Sequence, residues 1–120
     1  MKGIVNEFLQ PRWKITVKGL QKSIQIDALI DTGFDGDLCL PIPIAIQLGL
    51  ELKGDEYFEL ADGSMKHELL FKGEAVWNDK GIPVEIALTE SNDALIGVRL
   101  LKGKKLTIDF QGKFVIIENS

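Results

Sequence analysis

Asp31-Thr32-Gly33 is the stretch of this chain best suited to chemistry. It follows the apolar run Ala28-Leu29-Ile30 and leads through Phe34-Asp35-Gly36-Asp37 into a second apolar run. The pattern presents an acid at the end of a buried strand, on a glycine-bearing turn. A carboxylate held there is rigid and partly shielded from water. Burial and a neighbouring like charge are what shift a carboxyl group toward general acid and base work. The plain alternative is a turn in which the aspartate bonds its own backbone.

Other reactive residues are sparse. His67 is the only histidine and lies among strand-forming residues, so a metal site would have to gather Cys39 and distant carboxylates, and no metal is expected. A serine-type triad would need His67, and no nucleophile-elbow pattern is present. Cys39 lies between two leucines and reads as a buried strand residue rather than a nucleophile. Asp31, Asp35 and Asp37 are spaced as cation ligands could be, yet no calcium-loop pattern follows. No glycine-rich phosphate loop occurs. Trp13 and Trp77 read as core or interface aromatics.

The elements that must position Asp31 are mostly strands. Ile15-Thr16-Val17 and Ile24-Gln25-Ile26 alternate with period two around a connection at Lys18–Lys22. Leu38-Cys39-Leu40 is a short strand closed by Pro41. Pro43 opens a helix to Leu48, with Gly49 as its stop. Tyr57–Ala61 and Met65–Trp77 flank Asp62-Gly63, a strong hairpin signal. A second hairpin turns at Asn78-Asp79-Lys80-Gly81. Ile82–Leu88 returns as a strand, with Pro83 tolerated at its start or at an edge. Ala94-Leu95-Ile96 ends at Gly97 and echoes Ala28-Leu29-Ile30. Val98–Leu101 makes one or two helical turns, and Leu106–Phe110 and Phe114–Ile117 are the last strands. Many short strands with one or two short helices predict a compact, mostly β, barrel-like or sandwich fold.

Composition bounds the rest. A chain of 120 residues with 45% hydrophobic content is expected to be a single domain, residues 1–120, with a core of its own. The net charge of -4 argues against a nucleic-acid partner. The one basic cluster, Lys102, Lys104 and Lys105, reads as a solvated turn. One cysteine allows no intrachain disulfide, and Met1–Trp13 lacks the apolar core of a signal peptide. No run reaches transmembrane length, so no membrane is expected, and a cytoplasmic location is the default.

Taken in order, the apolar strand, Asp31-Thr32-Gly33, the Asp62-Gly63 hairpin and Ile96-Gly97-Val98-Arg99-Leu100-Leu101 resemble the retropepsin-like aspartic proteases. The resemblance spans roughly Ile15 to Phe110 and rests on Ala28–Pro41 and Ala94–Leu101. It implies a closed β-barrel that dimerises, with no cofactor, acting as an endopeptidase on a polypeptide. Each chain would give one Asp31 to a shared, water-activating pair. Thr32 would bond across the dimer, and Gly33 would approach the substrate backbone. Asp35 would bind substrate and pair with an arginine, Arg12 or Arg99. Ala61, Asp62 and Gly63 would sit at the tip of a flap over the substrate. Gly97 would lie beneath the active-site loop, where a missing side chain allows close packing.

Three positions depart from the family pattern. Phe34 stands where a small residue is usual, and as a substrate-binding residue it would narrow or reshape the pocket. The flap tip has one glycine where retroviral flaps have several. The terminal segments match poorly, and Phe114–Ile117 fits either a partner-pairing strand or an ordinary core strand. Two other readings stand beside the protease: a peptide-binding or dimerisation module on the same fold with little or no proteolysis, and an unrelated small β-barrel ligand binder.

Overall fold

The structure is a computed structural model and describes residues 2–77 and 79–120. A short strand, β1 (Lys2–Val5), precedes a hairpin of β2 (Pro11–Lys18) and β3 (Ser23–Ile30). Alternation decides which face is hidden. Trp13, Ile15 and Val17 on β2, and Ile26, Ala28 and Ile30 on β3, are buried, while Lys14, Lys18, Gln25 and Asp27 face solvent. β4 (Leu38–Pro41) is buried along its whole length. α1 (Ile42–Leu48) starts with Pro43 in its first turn, where no amide donor is needed. It ends at Gly49, whose φ of 70° is the left-handed cap that glycine supplies most easily.

β5 (Glu51–Glu59) and β6 (Met65–Trp77) form a long antiparallel hairpin with an irregularity between Leu52 and Gly54. β7 (Lys80–Thr89) returns beside β6. β8 (Ala94–Ile96), β9 (Lys104–Asp109) and β10 (Phe114–Asn119) complete the chain. The barrel closes through six strands, in the order β2, β3, β8, β4, β7, β6. The seam is Thr16 opposite Val76, Val17 opposite Ala75 and Lys18 opposite Glu74. Val17, Leu38, Leu40, Leu48, Ile86 and Ile96 are fully buried inside. The rings of Trp13 and Trp77 stack at 6.0 Å between centroids, so both tryptophans are core residues. Outside the barrel, β5 extends the sheet beyond β6, and β1, β10 and β9 extend it beyond β2. Among the described residues, no helix is long and apolar enough to cross a membrane.

The mostly β, closed-barrel expectation holds, with α1 as the one α-helix among the described residues. Val98–Gly103 forms consecutive turns closed by Leu101 N–H to Val98 O at 3.1 Å and Lys104 N–H to Leu101 O at 2.9 Å. The echo of Ala28–Ile30 in Ala94–Ile96 is a physical pairing: the two runs lie parallel, Ala28 opposite Ala94 and Ile30 opposite Ile96. Pro83 lies inside β7, but in the part that pairs with β6 alone, so its missing donor interrupts no second ladder. Of the turn read at Asn78–Gly81, Asn78 lies outside the described residues; Asp79 has a φ of 63°.

One reading changes, and one of two stated alternatives is selected. The strand placed at Tyr57–Ala61 is Glu51–Glu59, longer and earlier, and Leu60–Ser64 is the turn. Phe114–Ile117 is a core strand: β10 pairs with β1 on one side and β9 on the other, and Val115 is fully buried.

Ile86 faces Phe71 of β6 and Leu38 of β4 across the barrel wall. Ile86→Ala should therefore cost about 2–5 kcal/mol, read as a lowered midpoint in urea unfolding.

Candidate active site

Asp31 stands immediately after β3, half-buried, with its N–H donating to Ile96 O at 2.9 Å. Its carboxylate is held locally: Asp31 Oδ1 accepts the Gly33 N–H at 2.9 Å, and Asp31 O accepts the Phe34 N–H at 3.1 Å. The chain then runs through Asp37 into β4, which lies antiparallel to β8. β8 is thus threaded between β3 and β4, and the loop from Asp31 to Asp37 wraps over its end. Three bonds stitch the loop to the residues after β8. Gly97 N–H donates to Asp37 O at 2.9 Å, Val98 N–H to Phe34 O at 3.0 Å, and Arg99 N–H to Gly36 O at 3.1 Å.

Gly97 is required by this stitching. A Cβ there would lie 2.2 Å from the Gly36 carbonyl oxygen and 2.7 Å from that of Phe34, both backbone atoms that cannot swing aside. The Phe34 ring also lies over this point. A Cβ at Gly36 would meet its Cζ at 2.7 Å, and one at Gly97 its Cδ2 at 2.6 Å. Phe34 packs on a small apolar cluster of Cys39, Leu70 and Ala87. The ring is thus seated on two glycines. Burial pushes the Cys39 thiol up to about 11, with the Glu68 carboxylate adding to the effect, so the thiolate is scarce at neutral pH.

The loop opens onto a cleft of about 430 Å³ beneath the β5–β6 hairpin. Gly33 to Leu38 form one wall, and Glu56, Leu60, Lys66, Glu68 and Leu70 of the hairpin form the other. At the hairpin tip, Ala61, Asp62 and Gly63 are exposed, and Leu60 is the tip residue that lines the cleft. The tip itself is tightly built. Asp62 Oδ1 accepts the Ser64 hydroxyl at 2.6 Å and the Ser64 N–H at 2.9 Å, which lowers the Asp62 carboxyl from its usual range. Gly63 carries a φ of 85°. Thr32 is exposed.

Of the two arginines considered for Asp35, Arg99 is the neighbour, with Nε 4.0 Å from Asp35 Oδ1. Arg12 is engaged elsewhere, by Asp27 at 3.3 Å and Asp93 at 3.2 Å, because β2 carries it to the neighbouring carboxylates of β3 and the β7–β8 connection. Arg99 also reaches Glu85 Oε2 at 3.7 Å, and Glu85 pairs with Lys53. The sequence reading had no role for Lys53 or Glu85, and it weighed Asp37 only as a cation ligand. In the structure, Asp37 Oδ2 accepts the Glu85 N–H at 2.9 Å. Asp37 thereby ties the loop to β7 by its side chain and to Gly97 by its carbonyl. Burial raises the Asp37 carboxyl above its usual range, against the opposing pull of Arg99 and Lys53. The one legible signal for the hairpin wall was alternation, which puts Lys66, Glu68 and Leu70 on one face.

His67 is not part of the cleft. It stacks on Tyr57 with ring centroids 4.6 Å apart and bonds Asp55 Oδ2 at 2.6 Å, on the opposite face of the hairpin. Among the described residues, no group of three or more His, Cys, Asp or Glu is gathered as a metal site.

Solved structures share this architecture. The chain is similar to a retropepsin-like aspartic protease from Rickettsia conorii, at 22% identity and a TM-score of 0.71, over 99% of this chain and 89% of that one. It is similar to the EIAV protease complexed with the inhibitor HBY-793, at 13% identity and a TM-score of 0.61, over 81% of this chain and 89% of that one. It is also similar to the retroviral protease-like domain of Ddi1 from Leishmania major, at 16% identity and a TM-score of 0.52, over 91% and 90% of the two chains. No family model matches the sequence, and no curated protein sequence matches it. The fold is retropepsin-like.

Two outcomes follow for the loop. Gly97→Ala must push backbone from backbone, and should cost about 1–3 kcal/mol, measured by denaturant unfolding. Asp37→Asn keeps an acceptor for the Glu85 N–H and removes a charge that burial disfavours. A raised carboxyl stabilises the fold fully below its unfolded value of 3.8, and that contribution is lost as pH rises through the raised one. Asp37→Asn should therefore melt higher than the parent at pH 7, with the difference closing below pH 3.8.

Proposed function

We propose that this chain is an aspartic endopeptidase acting as a homodimer, with residues 1–120 as one protease domain. The observation that carries this reading is the placement of Asp31. It stands at the end of a core strand, on a loop that is bonded to the glycine after β8 and that lines, from Gly33 onward, a cleft roofed by a hairpin. One chain supplies one such carboxylate, and the chemistry needs two. Two carboxyl groups that share a site do not both ionise, so one stays protonated while the other accepts a proton from water. The activated water attacks the peptide carbonyl, and the protonated partner gives its proton to the carbonyl oxygen. Proton transfer to the leaving nitrogen then breaks the C–N bond, with no covalent intermediate.

In this reading, Thr32 of each chain bonds across the dimer, and the Gly33 carbonyl and Asp35 hold the substrate backbone, with Arg99 orienting Asp35. The β5–β6 hairpin is the flap, and an extended polypeptide lies beneath it by strand addition. The terminal strands suit dimerisation in a particular way. Among the described residues, β9 pairs with β10 alone, so its outer edge is open to a second copy. Antiparallel self-pairing about a two-fold axis can place Lys104 opposite Asp109 of the partner, an opposite-charge match. A cytoplasmic location suits a chain with one cysteine.

Phe34 favours a second reading, a peptide-binding module on the same fold with little or no proteolysis, because its ring occupies part of the cleft wall. The Ddi1 retroviral protease-like domain, a protein of this fold, keeps that reading in view.

The parent should cleave a diverse peptide mixture between about pH 4 and pH 7, and Asp31→Asn should lower the rate about 10²–10⁴-fold. Equal cleavage by both proteins overturns the Asp31 mechanism, and peptide binding without cleavage by the parent supports the binding module. Sedimentation should give a dimer, and Lys104→Glu should weaken it by placing like charges opposite each other. A strict monomer that still cleaves peptides contradicts the shared pair.

A further inference from the structure

The hairpin that roofs the cleft has a second face. Register places Tyr57 opposite His67, Asp55 opposite Leu69 and Glu59 opposite Met65, all turned away from Lys66, Glu68 and Leu70. This outer face continues onto α1. Two depressions adjoin there, of about 550 Å³ and 280 Å³, and both are lined by Ile42 and Leu88. Leu69 extends the first, and Ile46 and Phe71 the second. Ile42 and Ile46 are one helical turn apart on α1, and Ile46 is 70% exposed. Leu69, in the first depression, is exposed as well. Exposed apolar side chains gathered along a groove, rather than scattered singly, mark an interaction surface.

Charge decides what kind of occupant fits. Among the described residues lining the two depressions, Lys66 and His67 are the only basic ones. Lys66 is answered by Glu68 at 3.3 Å and His67 by Asp55 at 2.6 Å. Glu90 in the groove and Glu59 on the same hairpin face are left as net negative charge, on a chain that is itself at -4. An anionic lipid surface is repelled by such a rim. A second copy brought face to face would set acid against acid.

We propose that the groove between α1 and the outer face of the β5–β6 hairpin docks a polypeptide segment whose apolar side chains are flanked by Lys or Arg. The apolar side chains enter beside Ile42, Ile46 and Leu88, and the cations meet Glu90 and Glu59. Lys66 and Glu68, at the edge of the hairpin, line both this groove and the cleft, so the two sites adjoin; Ile42, Ile46, Leu69, Leu88 and Glu90 belong to the groove and not to the cleft. Docking in the groove does not depend on Asp31 or on proteolysis.

The test uses the full chain, labelled with nitrogen-15, and short synthetic peptides. One peptide alternates leucine with lysine, a second replaces lysine by glutamate, and a third replaces leucine by serine. The leucine–lysine peptide should shift amide signals of α1, Leu69, Leu88 and Glu90, with the other two binding far more weakly. Ile46→Ser removes an exposed side chain, so the core is kept, and should weaken binding about tenfold. Glu90→Lys should weaken it in a salt-dependent way. The proposal is overturned if all three peptides bind alike, if the shifts centre on residues 33–38, or if Ile46→Ser binds as the parent does. It is equally overturned if anionic phosphatidylserine vesicles bind the parent through Ile46 and the leucine–lysine peptide does not.

Discussion

The parallel contact between β3 and β8 is the constraint on which the rest of the structure depends. Parallel neighbours cannot be joined by a tight turn, so the chain must travel through β4, α1 and the whole β5–β7 meander before β8 can be laid down. That path builds the barrel. β8 lies between β3 and β4 and is hydrogen-bonded on both sides, with Ala94 and Ile96 buried. That burial favours apolar side chains at both positions. The step out of β8 then falls directly beneath the Asp31 loop, and only a residue without a side chain passes there.

Rigidity at Asp31 is therefore borrowed from distant sequence. Three consecutive amides after β8 hold the loop from below, and Asp37 holds it from the side through the Glu85 N–H. A buried N–H left without an acceptor costs more than an ordinary hydrogen bond contributes, which is reason enough for a carboxylate to persist where burial disfavours its charge. The surrounding ion pairs, Arg99 with Asp35 and Glu85 and Glu85 with Lys53, are all open to solvent in part, and Asp35 almost wholly. Pairs of that kind contribute little stability; their effect is to fix the direction in which each side chain points.

What could be read from the sequence follows from which faces are hidden. β2, β3 and the second half of β6 each turn one face to the barrel interior, so apolar and polar residues alternate and the strands are legible. Ala28–Ile30 and Ala94–Ile96 read as continuous apolar runs because pairing encloses them. The start of β5, Glu51 to Glu56, was illegible for the opposite reason: it lies outside the barrel, hides neither face, and is rich in charge. β1 escaped notice because it is four residues long with Gly3 inside it, a glycine whose Cβ would lie 2.2 Å from Arg12 O. The Asp31 loop and Gly97 were visible as local motifs with a shared partner. The bond between Asp37 and Glu85 was not, since no local rule links a carboxylate to an amide 48 residues away.

The same division between barrel and appendage sets how the hairpin behaves. Phe71 to Trp77 of β6 pair with β7, and Glu74 to Val76 pair with β2 as well, so that half is fixed in the wall. Met65 to Leu70 pair with β5 alone, and β5 has no second neighbour among the described residues. A two-stranded ribbon standing by itself is marginally stable in water. Among its residues with described burial, Leu70 is buried, while Leu52, Tyr57, Leu60, Met65 and Leu69 are exposed. Segments with so little burial open at small cost without unfolding the core. The ribbon leaves the wall at Leu70, so an opening of it would hinge there. Lys53, reaching from β5 to Glu85 on β7, ties the ribbon's base to the strand that also holds Asp37.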